Sequence, residues 1–521
     1  RGRPCPPPAL SRPHPNTMRL RALLPAPVAL FTLGLILWLG FLPLRNYDLF
    51  FHLAGGRYVL EHGFNPVDPF SVTGTAGWVP HEWGFGVLCV LLIKALGAAG
   101  PSLLVASLVA ANVLLLWVAL RRADAQPSHL LVLACLGLVS GVQASTWLQE
   151  RPFHLGHLLF VLAALGVQAW RRGNTRVLWA FPLLGLVWAN LHGSWLLGPA
   201  LLASTAMGTA LDDRTPASLR RCGAALAAAL AMFLVAGLSP DGPRIYLYPL
   251  QHSLLSSTQH INEWRPLDLD AGWSWVYLLL FGACLFVIGR ARVRRAAALL
   301  PTLVLGIAAL KVQRHAPFAS VLLALTLVEH ARTGDVDAPA LPRFLSWLER
   351  PLATWSTGTS LALWPTVLLA GLFALNASAP RPVEKGTHPI IPLPVLQTLS
   401  QQPPGRVLNR FIMGGPISYF AGAPYKVYID SRNDPFPAAI HQAYARLVWS
   451  EPGWEQALEA YDPDYVVWDT ENPGNLLLDH LRTRGGWREL AKANGWVLWA
   501  RERTPTVPGT PQRPATASGG G

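Results

Sequence analysis

The stretch NYDLFFHLAGGRYVLEHG, residues 46–63, places Asp48 and His52 four residues apart and follows them with Gly55 and Gly56. On a helix that spacing puts the carboxyl and the imidazole on one face. Such a pair suits either general-base catalysis on a hydroxyl or capture of a divalent cation. The plainer alternative is a helix cap beside an interfacial histidine. Each glycine weakens a helix by about 1 kcal/mol relative to alanine, which is expected where a ligand must approach the backbone closely. NPVDPFS and GTAGWVPHEW continue as an irregular loop around Pro66, Pro69 and Pro80, ending on His81 and Glu82. Glu82, at the start of the next apolar run, serves either the same site or the helix dipole.

Other groups point the same way. QERPF (149–153) and QRHAPF (313–318) each set an arginine, Arg151 or Arg314, at a helix mouth shortly before a proline, with His315 beside the second. A guanidinium there can clamp a phosphate through two parallel hydrogen bonds, or simply reach toward lipid headgroups. WANLHGSW (188–195) interrupts an apolar run with Asn190, His192 and Gly193. A tight turn needs only the asparagine and glycine, so His192 is surplus. In INEWRPLD, Glu263 and Arg265 read as partners of each other. Ionisable residues at membrane depth are functional candidates by default, and one hollow lined by acids, imidazoles and guanidiniums would account for all of these.

What must position them is a set of apolar segments. The 521 residues are 51% hydrophobic and 14% charged, against about 25% charged for soluble domains. Apolar runs recur at 26–44, 83–98, 101–120, 129–147, 153–170, 177–192, 194–211, 222–239, 272–289, 296–312, 315–331 and 360–377. With about 20 residues needed to cross a bilayer, the chain reads as an α-helical polytopic membrane bundle of about 11–13 transmembrane helices. Residues 1–25 form a basic, proline-rich tail, within which Met18 is the more natural start. The run 26–44 reads as an uncleaved first helix.

The net charge of +13 does not call for a nucleic acid. Arg121/Arg122, Arg171/Arg172/Arg176, Arg214/Arg220/Arg221 and Arg290/Arg292/Arg294/Arg295 sit in short loops between apolar runs, as cytoplasmic loops do. With the N-terminus inside, loop 45–82 faces outward, and so do 148–152, 190–194, 239–271, 311–315 and the tail from 380. This works only if 83–98, short and carrying Lys94, does not cross on its own. Cys5, Cys89, Cys135, Cys222 and Cys284 show neither metal-ligand spacing nor a disulfide framework.

From about 380 the pattern changes. RVLN (406–409), KVYID (426–430), DYVVWD (464–469) and GWVLWAR (495–501) read as strands, and 437–449, 453–461 and 475–484 have helical spacing. Residues 380–503 therefore form a small α/β extracytoplasmic domain. MGGPIS lacks the ending of a phosphate loop. Asp430 and Arg432 follow a strand, where functional or capping residues both occur. No complete catalytic set is visible, so the domain reads as an accessory or acceptor-handling module. Residues 504–521 read as a disordered tail.

YDLFFHLAGGRYVLEHG, DPFS, HEW, ERPF, WANLHG, RHAPF, GGPISYF and KVYIDSR together give the chain a resemblance. It resembles the GT-C superfamily of membrane glycosyltransferases, and more closely a bacterial protein O-mannosyltransferase-like group. The resemblance implies a transmembrane domain over 26–378 with a first outer loop at 45–82, in a bacterial inner (cytoplasmic) membrane. It also implies a hexosyltransferase that takes a polyprenyl-phosphate-linked sugar from the lipid phase and delivers the sugar to an extracytoplasmic hydroxyl. Asp48 stands where such enzymes carry the first-loop acid, with His52 beside it. Arg151 and Arg314 would hold the donor phosphate, with His315, His81, Glu82 and His192 around the substrate. Many relatives pair acids closely in this loop, whereas here the sequence is Asp48-Leu49-Phe50, which favours a metal-free base over a divalent cation. The competing expectation is a transporter, flippase or non-catalytic envelope scaffold. Transporters keep ionisable groups near the midplane and show repeated halves, and neither feature is apparent in the sequence.

Overall fold

The computed structural model describes residues 44, 46–65, 67–74, 78, 82–124, 128–146, 149–247, 262–331, 391–432, 435–471 and 476–502. The expected first helix, the 360–377 run, both tails and His81 lie outside these.

The chain opens on α1 (Asp48–His62), loops back, and enters α2 (Trp83–Leu96) and α3 (Ala99–Arg121). Further helices follow: α4 (His129–Gln143), α5 (Phe153–Arg171), α6 (Ala180–Leu191), α7 (Leu197–Asp212), α8 (Pro216–Leu234), α9 (Gly272–Arg290), α10 (Ala296–Lys311) and α11 (Ala316–His330). Among the described residues, five helical segments are long and apolar enough to cross a membrane: Ala99–Arg121, Phe153–Arg171, Gly193–Asp212, Pro216–Leu238 and Gly272–Arg290. Shorter apolar helices, Trp83–Leu96 among them, accompany these. The protein is a multi-pass membrane protein. The 19 residues of α5 extend about 28 Å at 1.5 Å per residue, close to the thickness of a hydrocarbon core.

Polar groups collect at the two ends of this bundle. Arg151 precedes α5 and Arg314 precedes α11. At the far ends of the same helices, Arg171 grips Glu329 through two hydrogen bonds of 2.6 and 2.8 Å. Arg295 adds a contact to Glu329 at 3.3 Å. Nearby, the Asp212 carboxylate accepts the N–H groups of Ala296 and Ala297 at the start of α10, where an anion suits the helix dipole.

The C-terminal part comprises α12 (Leu393–Ser400), β1 (Arg406–Asn409), α13 (Gly414–Phe420), β2 (Lys426–Val427), α14 (Ala438–Trp449), α15 (Trp454–Tyr461), β3 (Tyr465–Asp469), α16 (Leu476–Arg484), β4 (Trp487–Ala493) and β5 (Trp496–Arg501). The sheet order is β2-β1-β3-β5-β4. β1 runs parallel to β2 and β3, while β5 is antiparallel to β3 and β4. KVYID is extended as a strand only over Lys426–Val427, and the charged edge strand β4 was not anticipated from the sequence.

Alternation along the strands divides the sheet into two faces. Val466, Trp468, Val497 and Trp499 pack with Leu447, Leu458, Leu477 and Leu481 of the outer helices. On the other face Val407, Val427, Val467 and Leu498 join Val395, Leu396 and Ile417, and the same cluster continues into Leu49, Phe50 and Leu53 of α1 and Phe85 of α2. Each such buried side chain contributes about 1.5–3 kcal/mol, so α1 is anchored to the C-terminal part as well as to the bundle.

Two close backbone approaches fix α1 between them. A Cβ on Gly56 would lie 2.3 Å from the Gly86 carbonyl carbon, and one on Gly86 would lie 2.3 Å from the His52 oxygen. On the other side, a Cβ on Gly415 of α13 would lie 2.9 Å from the Phe51 nitrogen. This corrects the sequence reading of Gly55 and Gly56 as an opening for ligand. Gly56 lets α1 and α2 touch backbone to backbone, and Gly55 faces the Trp78 ring. The glycines of MGGPIS have the same purpose, seating α13 on α1 and on the Asp430 backbone.

Candidate functional site

The start of α1 supplies Asp48. Its backbone N–H donates to Asn46 Oδ1 at 3.0 Å, and the carboxylate at a helix N-terminus is favoured by the dipole. Arg151, in the short turn before α5, donates through Nη2 to Asp48 Oδ2. Its Nη1 lies 3.6 Å from Glu263 Oε2, while Glu263 Oε1 lies 2.7 Å from Arg314 Nη1. Glu263 comes from a one-turn 3-10 helix, Asn262–Trp264, and Arg314 from another, Gln313–His315. The backbones of these two turns are joined, Gln313 N–H donating to the Arg265 carbonyl at 2.9 Å. Arg314 also stacks over the Trp264 ring at 5.2 Å. Asp48, Arg151, Glu263 and Arg314 thus form one chain of alternating charge drawn from four separate segments. The sequence pairs Glu263 with its neighbour Arg265; the carboxylate also bridges Arg314 and Arg151.

Burial lowers the Arg151 pKa, Glu263 opposes that, and the nearby Arg314 charge adds to the lowering. Arg151 Nε is buried with no hydrogen-bond acceptor among the described residues. His315 is partly buried, and burial followed by the Arg314 charge lowers its pKa.

A second group adjoins this one. Glu82, just before α2, lies between two imidazoles, with His52 Nε2 3.7 Å from Oε2 and His192 Nε2 3.7 Å from Oε1. The Gly193 N–H donates to Glu82 Oε1 at 3.4 Å. Burial pushes the Glu82 pKa up to about 7, against the opposing pull of Arg314 and the Gly193 N–H, with Glu263 adding to the rise. His192 interrupts the helical path as the sequence suggested. It is extended (φ −161°) between α6 and the 3-10 turn Gly193–Leu196. Its Nδ1 accepts the Ser194 N–H at 3.2 Å, which leaves the proton of the neutral ring on Nε2, facing Glu82. Asn190 accepts the Trp83 Nε1–H at 2.7 Å and ties α6 to α2.

Of the expected site residues, Asp48 with Arg151 and Arg314, and His52 with Glu82 and His192, are brought together in these two groups. His81 lies outside the described residues. Among the described residues, no group of three or more His, Cys, Asp or Glu side chains is arranged to hold a metal ion. Glu150 is buried and accepts the Ser102 hydroxyl at 3.2 Å.

Asp430 and Arg432 of the IDSR motif perform a different task. Arg432 donates to both oxygens of Asp68 at 3.0 and 2.9 Å, and its Nε and Nη2 reach Asp430 at 2.7–3.0 Å. Burial works against the Arg432 charge, but Asp430 and Asp68 outweigh it and drive the pKa up. Around this clamp the Val427 N–H donates to the Phe70 carbonyl at 2.9 Å and the Lys426 ammonium to the Pro69 carbonyl at 2.6 Å. Arg57 of α1 donates to the Tyr419 carbonyl at 3.1 Å. The loop after α1 is therefore fastened to the sheet edge. Asp469, at the end of β3, is held by Arg410 at 3.2 Å. It acts on Tyr47, next to Asp48, whose phenol is pushed up to about 12 by burial first and then by Asp469.

No family model matches the sequence, and no curated protein matches it. Solved structures do. The Archaeoglobus fulgidus oligosaccharyltransferase in its apo form aligns with a TM-score of 0.53 and 12% identity, over 85% of this chain and 69% of that one. The same organism's oligosaccharyltransferase AglB, in complex with an inhibitory peptide and a dolichol-phosphate, aligns with a TM-score of 0.53 and 13% identity over 91% and 73%. ArnT from Cupriavidus metallidurans bound to undecaprenyl phosphate aligns with a TM-score of 0.51 and 13% identity over 91% and 97%. At these identities the likeness is one of fold, and the fold of this chain is GT-C-like: a polytopic helical membrane bundle joined to a small C-terminal α/β region.

Proposed function

We propose that this protein is a membrane glycosyltransferase of the O-mannosyltransferase-like kind, moving a sugar from a polyprenyl-phosphate donor to a hydroxyl outside the cytoplasm. The observation that carries the reading is the half-open chain Asp48–Arg151–Glu263–Arg314 at the mouths of membrane helices. Neighbouring folds crystallised with undecaprenyl phosphate and dolichol-phosphate support a polyprenyl lipid as donor.

Asp48 accepts the proton of the acceptor hydroxyl as that oxygen bonds to the anomeric carbon. The bond between the anomeric carbon and the phosphate oxygen breaks, and its electron pair stays on the phosphate. Arg151 and Arg314 take up that developing charge, the electrostatic work such a transfer needs most. His52, Glu82, His192 and His315 form the surrounding polar wall, and the sequence-based expectation adds His81, which lies outside the described residues. In this reading the arginine-rich loops face the cytoplasm of a bacterium, and the site and the C-terminal domain face the other side of the inner membrane.

Purified protein supplied with polyprenyl-phosphate sugars should release polyprenyl phosphate. Asp48→Asn should lower that release by about 10³-fold, within the range for a lost general base, while remaining folded. Undiminished release by the variant removes Asp48 as base. No release from any donor by the wild type, together with substrate movement across vesicles, replaces the transferase with a transporter.

A further inference from the structure

We infer that Glu263 is a displaceable plug, holding between Arg151 and Arg314 the place that the donor phosphate takes when it binds. This rests on the reading of those two arginines as phosphate ligands. The geometry is that of one anion spanning two cations: Oε1 is 2.7 Å from Arg314 and Oε2 is 3.6 Å from Arg151. A phosphate presents oxygens at a similar spacing and would compete for the same N–H groups.

Charge makes the competition compulsory. Asp48 and Glu263 carry two negative charges, and Arg151 and Arg314 two positive ones. A phosphate approaching this balanced set meets no net attraction until one carboxylate withdraws. Asp48 is the less able to leave, because it begins α1, where Leu49, Phe50 and Leu53 are fully buried. Glu263 is the more exposed of the two, its side chain 37% accessible against 19% for Asp48. The backbone around it is pinned, by Gln313 N–H to the Arg265 carbonyl at 2.9 Å and Leu267 N–H to the Leu310 carbonyl at 3.1 Å. Withdrawal is therefore a rotation of the side chain with the turn left in place. Once it occurs, Arg314 Nη1 and Arg151 Nη1 are released together, and the buried Arg151 Nε supplies a further donor beside them.

The sign of one measurement separates this role from its rivals. Equilibrium binding of undecaprenyl phosphate is measured on the full-length protein in nanodiscs for wild type, Glu263→Gln, Glu263→Ala, Arg151→Ala, Arg314→Ala and the double variant Glu263→Gln/Arg314→Ala. A plug predicts about tenfold tighter binding in both single Glu263 variants, the scale of one lost charged hydrogen bond in a half-open site. It also predicts weaker binding in each arginine variant, and no gain from Glu263→Gln once Arg314 is gone. Glu263→Asp, one methylene shorter, should fall between wild type and Glu263→Gln, and it serves if the neutral variants do not fold. Unchanged or weaker binding in the Glu263 variants, with the arginine variants still impaired, overturns the plug and leaves the phosphate site standing. Unchanged binding in both arginine variants overturns the phosphate reading and the plug with it.

Discussion

The protein uses the same three-part arrangement, an arginine between two carboxylates, in two places and to opposite ends. In the clamp, the Arg432, Asp68 and Asp430 side chains are 7%, 2% and 1% exposed, and the guanidinium meets both acids through paired hydrogen bonds. In the site, Arg151 and Glu263 are 30% and 37% exposed, each carboxylate reaches Arg151 through a single nitrogen, and Arg151 Nε has no acceptor among the described residues. Breaking a buried, fully bonded pair leaves an uncompensated charge. An open, incompletely bonded pair can exchange one partner for another at little cost. Chemistry of one kind thus gives a rivet where it is sealed and, on the function proposed above, a binding surface where it is left ajar.

That contrast can be broken most forcefully at Arg432. Arg432→Ala should destabilise the protein by about 3–5 kcal/mol, read as a fall in Tm, whereas Arg151→Ala should cost about 1 kcal/mol or less. Equal losses would dissolve the distinction. The next test uses Glu82, whose carboxyl burial pushes from an ordinary 4.5 up to about 7. A raised pKa means stability that is complete below about pH 4.5 and lost as pH rises through about 7, worth about 3 kcal/mol at 1.36 per unit. Glu82→Gln cannot ionise, so its Tm advantage over wild type should be absent near pH 4.5 and grow up to pH 8. A constant difference would refute the shift. Turnover comes third: Arg151→Ala should lower polyprenyl phosphate release by about 10²-fold, and Arg432→Gln, measured below its Tm, by far less. The smallest effect is that of salt. Raising it from about 0.1 to 1 M shortens the screening length from about 10 to 3 Å. That should weaken binding of undecaprenyl phosphate severalfold while leaving the Tm gap between wild type and Arg432→Ala unchanged.

The bundle and the strands of the C-terminal sheet were legible because apolar periodicity is local. The break at His192 and the arginines before α5 and α11 could be placed for the same reason. Glu82 was evenly balanced between cap and site, and only its position between His52 and His192 decides that it joins a polar group. For Glu263 the sequence points only to its neighbour Arg265, since spacing along the chain reports nearby partners and is silent about Arg314 and Arg151. The Asp68–Arg432 pairing spans 364 positions, and no short motif encodes such a distance. Gly55 and Gly56 were misread because a glycine signals close approach without saying of what. β4 was missed because an exposed edge strand rich in charge carries little alternation.

The fastening of the first loop to the sheet edge also sets an order of assembly. Asp68 leaves the ribosome first and Arg432, 364 positions further on, about 20–70 s later at about 5–20 residues per second. Throughout that interval the loop beside Asp48 has no rivet, and a segment made much later finishes what an earlier one began. A nascent chain arrested before β1 should accordingly be cut by protease within residues 63–74, and the completed chain should resist.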